Sequence, residues 1–137
     1  MNLYYKIWVD SIMRLKSLPS NQDNWQIKSI ITMSVAMTFN FILLMAIIQR
    51  NILGCYFYKL NIKFLSNYEN IILTILVLFL LPVVIINYFL IFRDKRYEKL
   101  VQKYPYYNGK LFIGYFLISL FLPILLLGIG IIYTNYF

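Results

Sequence analysis

Two asparagines, Asn40 and Asn87, are the strongest polar side chains within the long apolar stretches of this sequence. A primary amide offers two N–H donors and one carbonyl acceptor, so it can contact either a passing solute or a neighbouring helix. No Asp, Glu, Lys, Arg or His lies in these stretches, so we interpret both amides as candidate intramembrane hydrogen-bonding groups. A substrate or proton path through Asn40 is the alternative. Asn87 lies six residues before Arg93 and thus near one membrane surface, so no direct bond between the two amides is expected.

The acidic residues do not form a convincing catalytic pair. Asp94 and Glu98 share one face of a helix at i, i+4 spacing, but Arg93, Lys95, Arg96 and Lys99 surround them, which favours local ion pairing. The chain has no histidine and a single cysteine, Cys55, so an internal disulfide is impossible. It also contains no glycine-rich phosphate-binding motif. We predict no catalytic, cofactor-binding or metal-ligating residues, and we do not expect an enzyme.

Three long apolar stretches determine the class of protein. Hydrophobic residues make up 61% of the 137 residues, and uncharged runs cover residues 29–48, 71–92 and 111–132. About 20 residues of α-helix cross roughly 30 Å of hydrocarbon. We therefore predict an all-α integral membrane protein with three transmembrane helices, forming a single membrane domain over residues 1–137.

Two prolines lie inside the predicted spans. Pro82 is near the middle of the second span and Pro123 is within the third. Proline lacks the backbone N–H and crowds the preceding helical turn. Pro82 and Pro123 are therefore candidate kinks.

Residues 1–19 are typical of an amphipathic interfacial helix that ends at Pro19. Apolar side chains recur at helical spacing, whereas Lys6, Asp10 and Arg14 follow one another at i, i+4 on another face, where Asp10 can pair with either base. We expect the helix to lie in the membrane interface, with Trp8 at head-group level. Packing on another subunit is the alternative.

Residues 49–66 form a long connector of ambiguous structure. Apolar and polar residues alternate from Tyr58 to Phe64, which is a strand pattern. An irregular or helical segment lying on the head groups is the alternative. Ser66 and Glu69 have the spacing of a capping box immediately before the second span.

Residues 93–110 form the polar segment between the second and third spans. The helical spacing predicts that the second span extends as a basic amphipathic helix to about Tyr104, where Pro105 stops it. Asn108 and Gly109 then turn the chain into the third span. Including the N-terminal helix, the candidate lipid or partner contacts are Lys6, Trp8, Arg14, Arg93, Lys95, Arg96, Lys99 and Lys103.

The charge distribution predicts the orientation. The formal net charge is +8. Ten of the 13 basic residues flank the N-terminal side of the spans, and the other three are Arg50, Lys59 and Lys63. The positive-inside rule then places the N-terminus in the cytoplasm and the C-terminus in the periplasm of a bacterial inner membrane. Because the bases flank apolar spans, we expect a bilayer with anionic head groups, and not nucleic acid, as their partner.

A resemblance extends over the N-terminal third. The segments Tyr4-Tyr5-Lys6-Ile7-Trp8-Val9-Asp10, Asp23-Asn24-Trp25 and Met-Ser-Val-Ala-Met-Thr-Phe-Asn at 33–40 resemble small uncharacterised polytopic membrane proteins of Bacteroidota. The resemblance implies a short polytopic membrane protein and carries no activity.

Small size, the lack of a catalytic set and two amphipathic helices favour a non-catalytic accessory or structural subunit of a larger inner-membrane complex. A small homo-oligomeric transporter, channel or holin-like protein is the alternative, and an immunity-type membrane protein is a further one.

Overall fold

The computed structural model describes residues 2–54 and 62–136, and its regular structure is entirely helical. The α-helices are α1 (Asn2–Ser17), α2 (Trp25–Ile48), α3 (Asn67–Thr74), α4 (Leu81–Asn87), α5 (Arg96–Lys103) and α6 (Lys110–Tyr136). Three helical stretches are long and apolar enough to cross a membrane: Trp25–Ile52, Asn67–Lys103 and Lys110–Tyr136. The prediction of an all-helical membrane protein with three such helices is confirmed.

The first span has no internal helix breaker. α2 continues into one wider, π-helical turn over Gln49–Leu53. Gly54 then adopts a left-handed φ of 64°, and its N–H bonds to the Gln49 carbonyl at 2.7 Å. A glycine in this conformation is a common way to end a helix, because it has no Cβ to clash.

The second span begins at the predicted capping box. The Ser66 hydroxyl accepts from the Glu69 N–H at 3.3 Å, and the Glu69 carboxylate accepts from the Ser66 N–H at 2.7 Å. A π-helical segment, Ile75–Leu80, precedes Pro82 in the first turn of α4. Pro82 thus lies where the helix changes from π to α geometry, a change that accommodates the missing N–H.

The second span is followed, as predicted, by a basic amphipathic helix that ends before Pro105, namely α5 (Arg96–Lys103). The two do not form one unbroken helix, and in that respect the prediction is wrong. A further π-helical segment, Tyr88–Phe92, leads into a short bend at Arg93–Lys95, where Asp94 and Lys95 both have φ of 55°. The bend turns α5 onto α1. Tyr97 of α5 also packs its ring against Trp25 at the start of α2, with 5.2 Å between ring centres. Aromatic packing of this kind stabilises the turned arrangement more than a straight, solvated extension would.

The third span begins at the predicted turn. Asn108 and Gly109 have φ values of 56° and 79°, and α6 starts at Lys110. α6 then continues through Pro123 as one α-helix.

α2 occupies the centre of the arrangement. It contacts α6 on one side and α4 with its preceding π-helical segment on another, while α1 packs against α2, α5 and α6. We call the end of the spans where α1 and α5 lie the α1 end, and the end that carries Gly54 and Ser66 the far end. The main apolar core is at the α1 end and consists of Trp8, Ile12, Met33, Ile91, Phe92 and Phe112.

α1 is enclosed by its own chain. Five consecutive residues, Trp8 to Ile12, are buried, so every face of the helix is covered at its middle. Trp8 is 0% exposed and packs edge-on to Phe92 at 5.8 Å. The expectation that Trp8 contacts lipid head groups is therefore wrong. An interfacial tryptophan and a core tryptophan carry the same apolar signature in sequence.

Cys55, Lys59 and most of the alternating segment in the connector lie outside the described residues. The described end of the connector is joined to the second span by Asn70, whose side chain bonds to the Ile62 N–H at 2.9 Å and the Leu65 carbonyl at 3.2 Å.

Candidate functional site

A buried carboxylate lies where α1 meets the start of α6. Asp10 is 0% exposed. Its Oδ1 accepts from the N–H groups of Tyr107 and Gly109 at 2.9 and 3.0 Å, and its Oδ2 accepts from the Phe112 N–H at 3.1 Å. The first N–H groups of an α-helix have no partner within the helix, and a negative side chain there is favourable. Asp10 therefore caps α6 from a different helix.

The turn before α6 is shaped to meet this carboxylate. The left-handed conformations of Asn108 and Gly109 bring the N–H groups on both sides of the turn toward Asp10. A Cβ on Gly109 would lie 3.0 Å from Cγ of Arg14, so the aliphatic part of Arg14 closes over the turn. Both the φ of 79° and this close approach require glycine here.

The expected pairing of Asp10 with Lys6 or Arg14 is wrong. Both carboxylate oxygens are used by backbone donors instead. Asp10 therefore has a structural role at the start of α6. No sequence motif identifies the role, because the donors are about a hundred residues away along the chain. The one feature of the sequence that could have pointed to this role is the presence of an aspartate among the apolar residues of α1.

Asn87 joins three helices. Its Oδ1 accepts from the Tyr4 hydroxyl at 2.9 Å, and its Nδ2 donates to Ser34 Oγ at 3.0 Å and to Met37 Sδ at 3.3 Å. Burial raises the pKa of Tyr4 to about 12, so this phenol remains a neutral donor at ordinary pH. Asn87 is 0% exposed, and both ends of its amide are satisfied by protein.

Asn40 joins the first and third spans. Its Nδ2 donates to the Tyr115 hydroxyl at 3.0 Å and to Ser119 Oγ at 2.9 Å. Ser119, itself 1% exposed, is one of two buried residues on α6. Asn40 and Asn87 do not bond to each other: Asn40 connects α2 with α6, and Asn87 connects α4 with α1 and α2.

We call three separate sets of bonded groups the polar junction: Asp10 with the backbone at the start of α6, Asn87 with Tyr4 and Ser34, and Asn40 with Tyr115 and Ser119. Its members come from α1, α2, α4 and α6. Amides and hydroxyls in an apolar interior are stabilised by such mutual bonds, since each unpaired group would be costly there. The junction can fix the relative positions of four helices. Among these seven residues, the sequence patterns predict Asn40 and Asn87 as site residues and do not identify the other five.

The basic candidates lie around the α1 end and are mostly exposed: Arg14, Arg93, Lys95, Arg96, Lys99 and Lys103, with Lys6 half-buried. Arg93 lies 3.6 Å from the Asp94 carboxylate and over the Phe89 ring at 5.3 Å. Arg96 donates to the Phe89 carbonyl at 3.3 Å. The remaining bases leave a wide positive surface at this end of the molecule.

The far end has a different character. The Gln49 side chain is 0% exposed, and its amide has no hydrogen-bond partner among the residues that the structure describes. An open groove of about 590 Å³ lies between α2 and α6, lined by Phe39, Ile42, Leu43, Ala46, Ile47, Arg50, Asn51, Pro123, Leu126 and Leu127. Within residues 2–54 and 62–136, no three Cys, Asp or Glu side chains are grouped as metal ligands.

No family model, no curated protein and no solved structure matches this chain. The resemblance of its N-terminal third to membrane proteins of Bacteroidota stays a prediction. A function must therefore be inferred from the contacts that residues of this chain make with one another.

Proposed function

We propose that this protein is a non-catalytic accessory subunit of a larger membrane protein complex, and that it docks through the outward face of α6. The observation that carries the proposal is the exposure of this helix. Of the 27 residues of α6, Phe112 and Ser119 are the buried ones. The chain itself therefore leaves most of a membrane-spanning helix uncovered.

The outward face of α6 has the residue pattern of a helix–helix interface. Tyr115 and Ser119 bond to Asn40 of α2, and Pro123 lines the groove beside α2. At about 100° per residue, these three residues define the side of α6 that faces α2. A stripe at heptad spacing lies roughly 150° away, and it consists of Gly114, Ile118, Phe121, Leu125, Gly128 and Ile132. Ile118 is 64% exposed and Leu125 is 61% exposed.

Glycines in such a stripe allow two helices to approach closely. A Cβ added to Gly114 or Gly128 would meet nothing within 4 Å, so neither glycine is required by packing within this chain. Heptad spacing suits left-handed packing of membrane helices, and small residues are enriched where membrane helices touch. A partner helix would give these two glycines a role.

The polar junction supports a structural rather than a transporting role. Both N–H bonds of the Asn40 amide are used between α2 and α6, and the Asn87 amide is used by Tyr4 and Ser34. A solute path would need such groups to face an opening. Their present bonds hold the helices in fixed positions, as a docking scaffold requires.

We infer that the α1 end faces the cytoplasm of a bacterial inner membrane. Ten basic residues flank this end of the spans and three flank the other, which supports an N-in, C-out orientation by the positive-inside rule. A C-terminal reporter that is active only in the cytoplasm should stay inactive. Strong reporter activity would contradict the orientation.

The docking proposal is tested by purifying the tagged full-length chain from its native membranes in mild detergent. We expect other membrane subunits to remain bound in fixed stoichiometry. Gly128→Leu should release them, because the added side chain projects from the proposed contact face.

Gly130→Leu is the matched control. Gly130 lies on the same helix, but on the side that faces α2, and an added Cβ there also meets nothing within 4 Å. The control variant should retain the partners. Recovery of a lone monomer or of a homo-oligomer from the unaltered chain would contradict the proposal.

A further inference from the structure

The groove between α2 and α6 is apolar over most of its length and charged at one end. On α2 its lining follows a helical stripe from Phe39 to Arg50, and on α6 it includes Pro123, Leu126 and Leu127. Arg50 is the charged residue among the lining side chains. The one ion pair in the described part of the chain joins Arg93 and Asp94, so Arg50 is paired with no described carboxylate.

The depth of the groove corresponds to one leaflet of a bilayer. Phe39 is at the middle of the span Trp25–Ile52, and Pro123 is at the middle of Lys110–Tyr136. From Phe39 to Arg50 the helix rises roughly 16 Å, about half of the 30 Å hydrocarbon thickness. The groove therefore runs from the membrane midplane to the far surface.

We propose that this groove binds one phospholipid, with an acyl chain between α2 and α6 and an anionic headgroup on Arg50. The apolar part of the groove is about as deep as one leaflet and could hold an acyl chain. Arg50 lies at its end, where the negatively charged headgroup of the same lipid would be. Arginine binds phosphate oxygens through paired N–H donors. A free anion would leave the apolar part of the groove uncovered, whereas a lipid covers both parts.

The proposal is independent of the docking face on α6. The groove residues Leu126 and Leu127 and the docking residues Leu125 and Gly128 lie on different sides of this helix. The site is also distinct from the basic surface at the α1 end, because it belongs to the opposite leaflet. A lipid in the groove would fill the space between two helices that touch mainly in their other half.

The test uses the full-length chain in liposomes that contain phosphatidylglycerol with a photoactivatable acyl chain. A parallel sample contains phosphatidylcholine with the same chains. Cross-linked residues are identified by mass spectrometry. We expect phosphatidylglycerol to label the groove about tenfold more than phosphatidylcholine, as expected for one charge-assisted hydrogen-bonded contact.

Two variants make the test specific. Arg50→Gln should remove the difference between the two lipids in the groove, whereas Arg96→Gln, the same change at the α1 end, should leave it unchanged. Ala46→Phe should fill the groove and reduce its labelling by both lipids. An unchanged thermal unfolding temperature of Ala46→Phe would establish that this variant is folded. The comparison of the two lipids in Arg50→Gln does not depend on the Ala46→Phe variant.

Equal labelling of the groove by the two lipids in the unaltered chain would overturn the proposal. So would lipid labelling spread evenly around α2 and α6, or cross-linking of the groove to a second copy of the chain.

Discussion

The two halves of the α2–α6 pair are packed very differently. In the half at the α1 end, α2 buries Ser29, Met33, Ser34, Ala36 and Thr38, and α6 buries Phe112 and Ser119. In the far half, from Phe39 to Ile48 and from residue 120 to 136, neither helix has a buried residue. The same two helices thus form a protein core at one end and an open groove at the other.

The difference follows from what the chain supplies at each end. At the α1 end a fourth helix, α1, fills the angle between the spans, and small or hydroxyl-bearing residues let the helices approach. In a bilayer, apolar side chains gain little by leaving lipid for protein, so packing depends on close fit and polar contacts. Beyond Asn40, at its inner edge, the far half contains mostly apolar residues and no further member of the polar junction. It remains open to lipid or to a partner.

Asp10→Ala is the strongest test of the packed half. The change leaves two buried N–H groups and one partly buried N–H group without an acceptor. We expect it to lower the free energy of unfolding by about 3 kcal/mol. Equilibrium unfolding of the full-length chain in mixed micelles measures this. Asp23→Ala, an exposed aspartate, should change stability by less than about 0.5 kcal/mol. Equal losses of stability for the two substitutions would contradict the capping role assigned to Asp10.

Gly109→Ala tests the turn that meets Asp10. The left-handed φ and the contact with Arg14 should together cost about 1–2 kcal/mol. Gly114→Ala is the matched control within α6, where an added Cβ meets nothing within 4 Å. It should stabilise the helix by up to about 1 kcal/mol. The same unfolding assay measures the change in stability for both variants, and we expect a loss for Gly109→Ala and a gain for Gly114→Ala. A change of the same sign in both would contradict the assigned role of Gly109.

Asn87→Leu and Asn40→Leu test the amides of the polar junction. Each should lower stability by about 1 kcal/mol, the usual size of an interhelical hydrogen bond in a membrane. Asn87→Leu should have the larger effect because Asn87 is 0% exposed whereas Asn40 is only partly buried, and groups left without partners cost more where water cannot reach them. Asn135→Leu, at an exposed position, serves as the control. An unchanged stability of Asn40→Leu would show that its two bonds are not needed to join α2 and α6.

Ile129→Ala should have the smallest effect. Ile129 is 61% exposed in the far half, and its truncation in detergent should change the free energy of unfolding by less than about 0.5 kcal/mol. The same change at Ile91, which is 0% exposed, should cost about 2 kcal/mol or more. Similar losses at both sites would mean that the far half is as well packed as the α1 half.

Local patterns predicted several features correctly because their causes are local. The capping box at Ser66 and Glu69 and the turn at Asn108 and Gly109 involve residues that are close in sequence. The three spans follow from uninterrupted apolar composition. The straight extension past Arg93 failed because aromatic contacts of Tyr97 with another helix outweigh local helical spacing.

The polar junction was predictable only in part. Asn40 and Asn87 are conspicuous as amides in apolar stretches, but their partners Tyr4, Tyr115 and Ser119 resemble many other residues of their type in this chain. Trp8 has the composition expected of an interfacial anchor, and its burial depends on where α1 docks. The open groove near Arg50 has no sequence signature, since it is the space that two helices leave between them.

The amino-acid sequence by itself determined that this chain is helical, that three segments are apolar enough to cross a membrane, and where local turns and caps occur. These properties depend on the transfer of short segments between water and lipid and on bonds between near neighbours. The tertiary structure decided which face of each helix is covered, what Asp10 binds, and where the surface stays open. Those outcomes depend on groups about a hundred residues apart meeting at one point, and no local pattern carries that information.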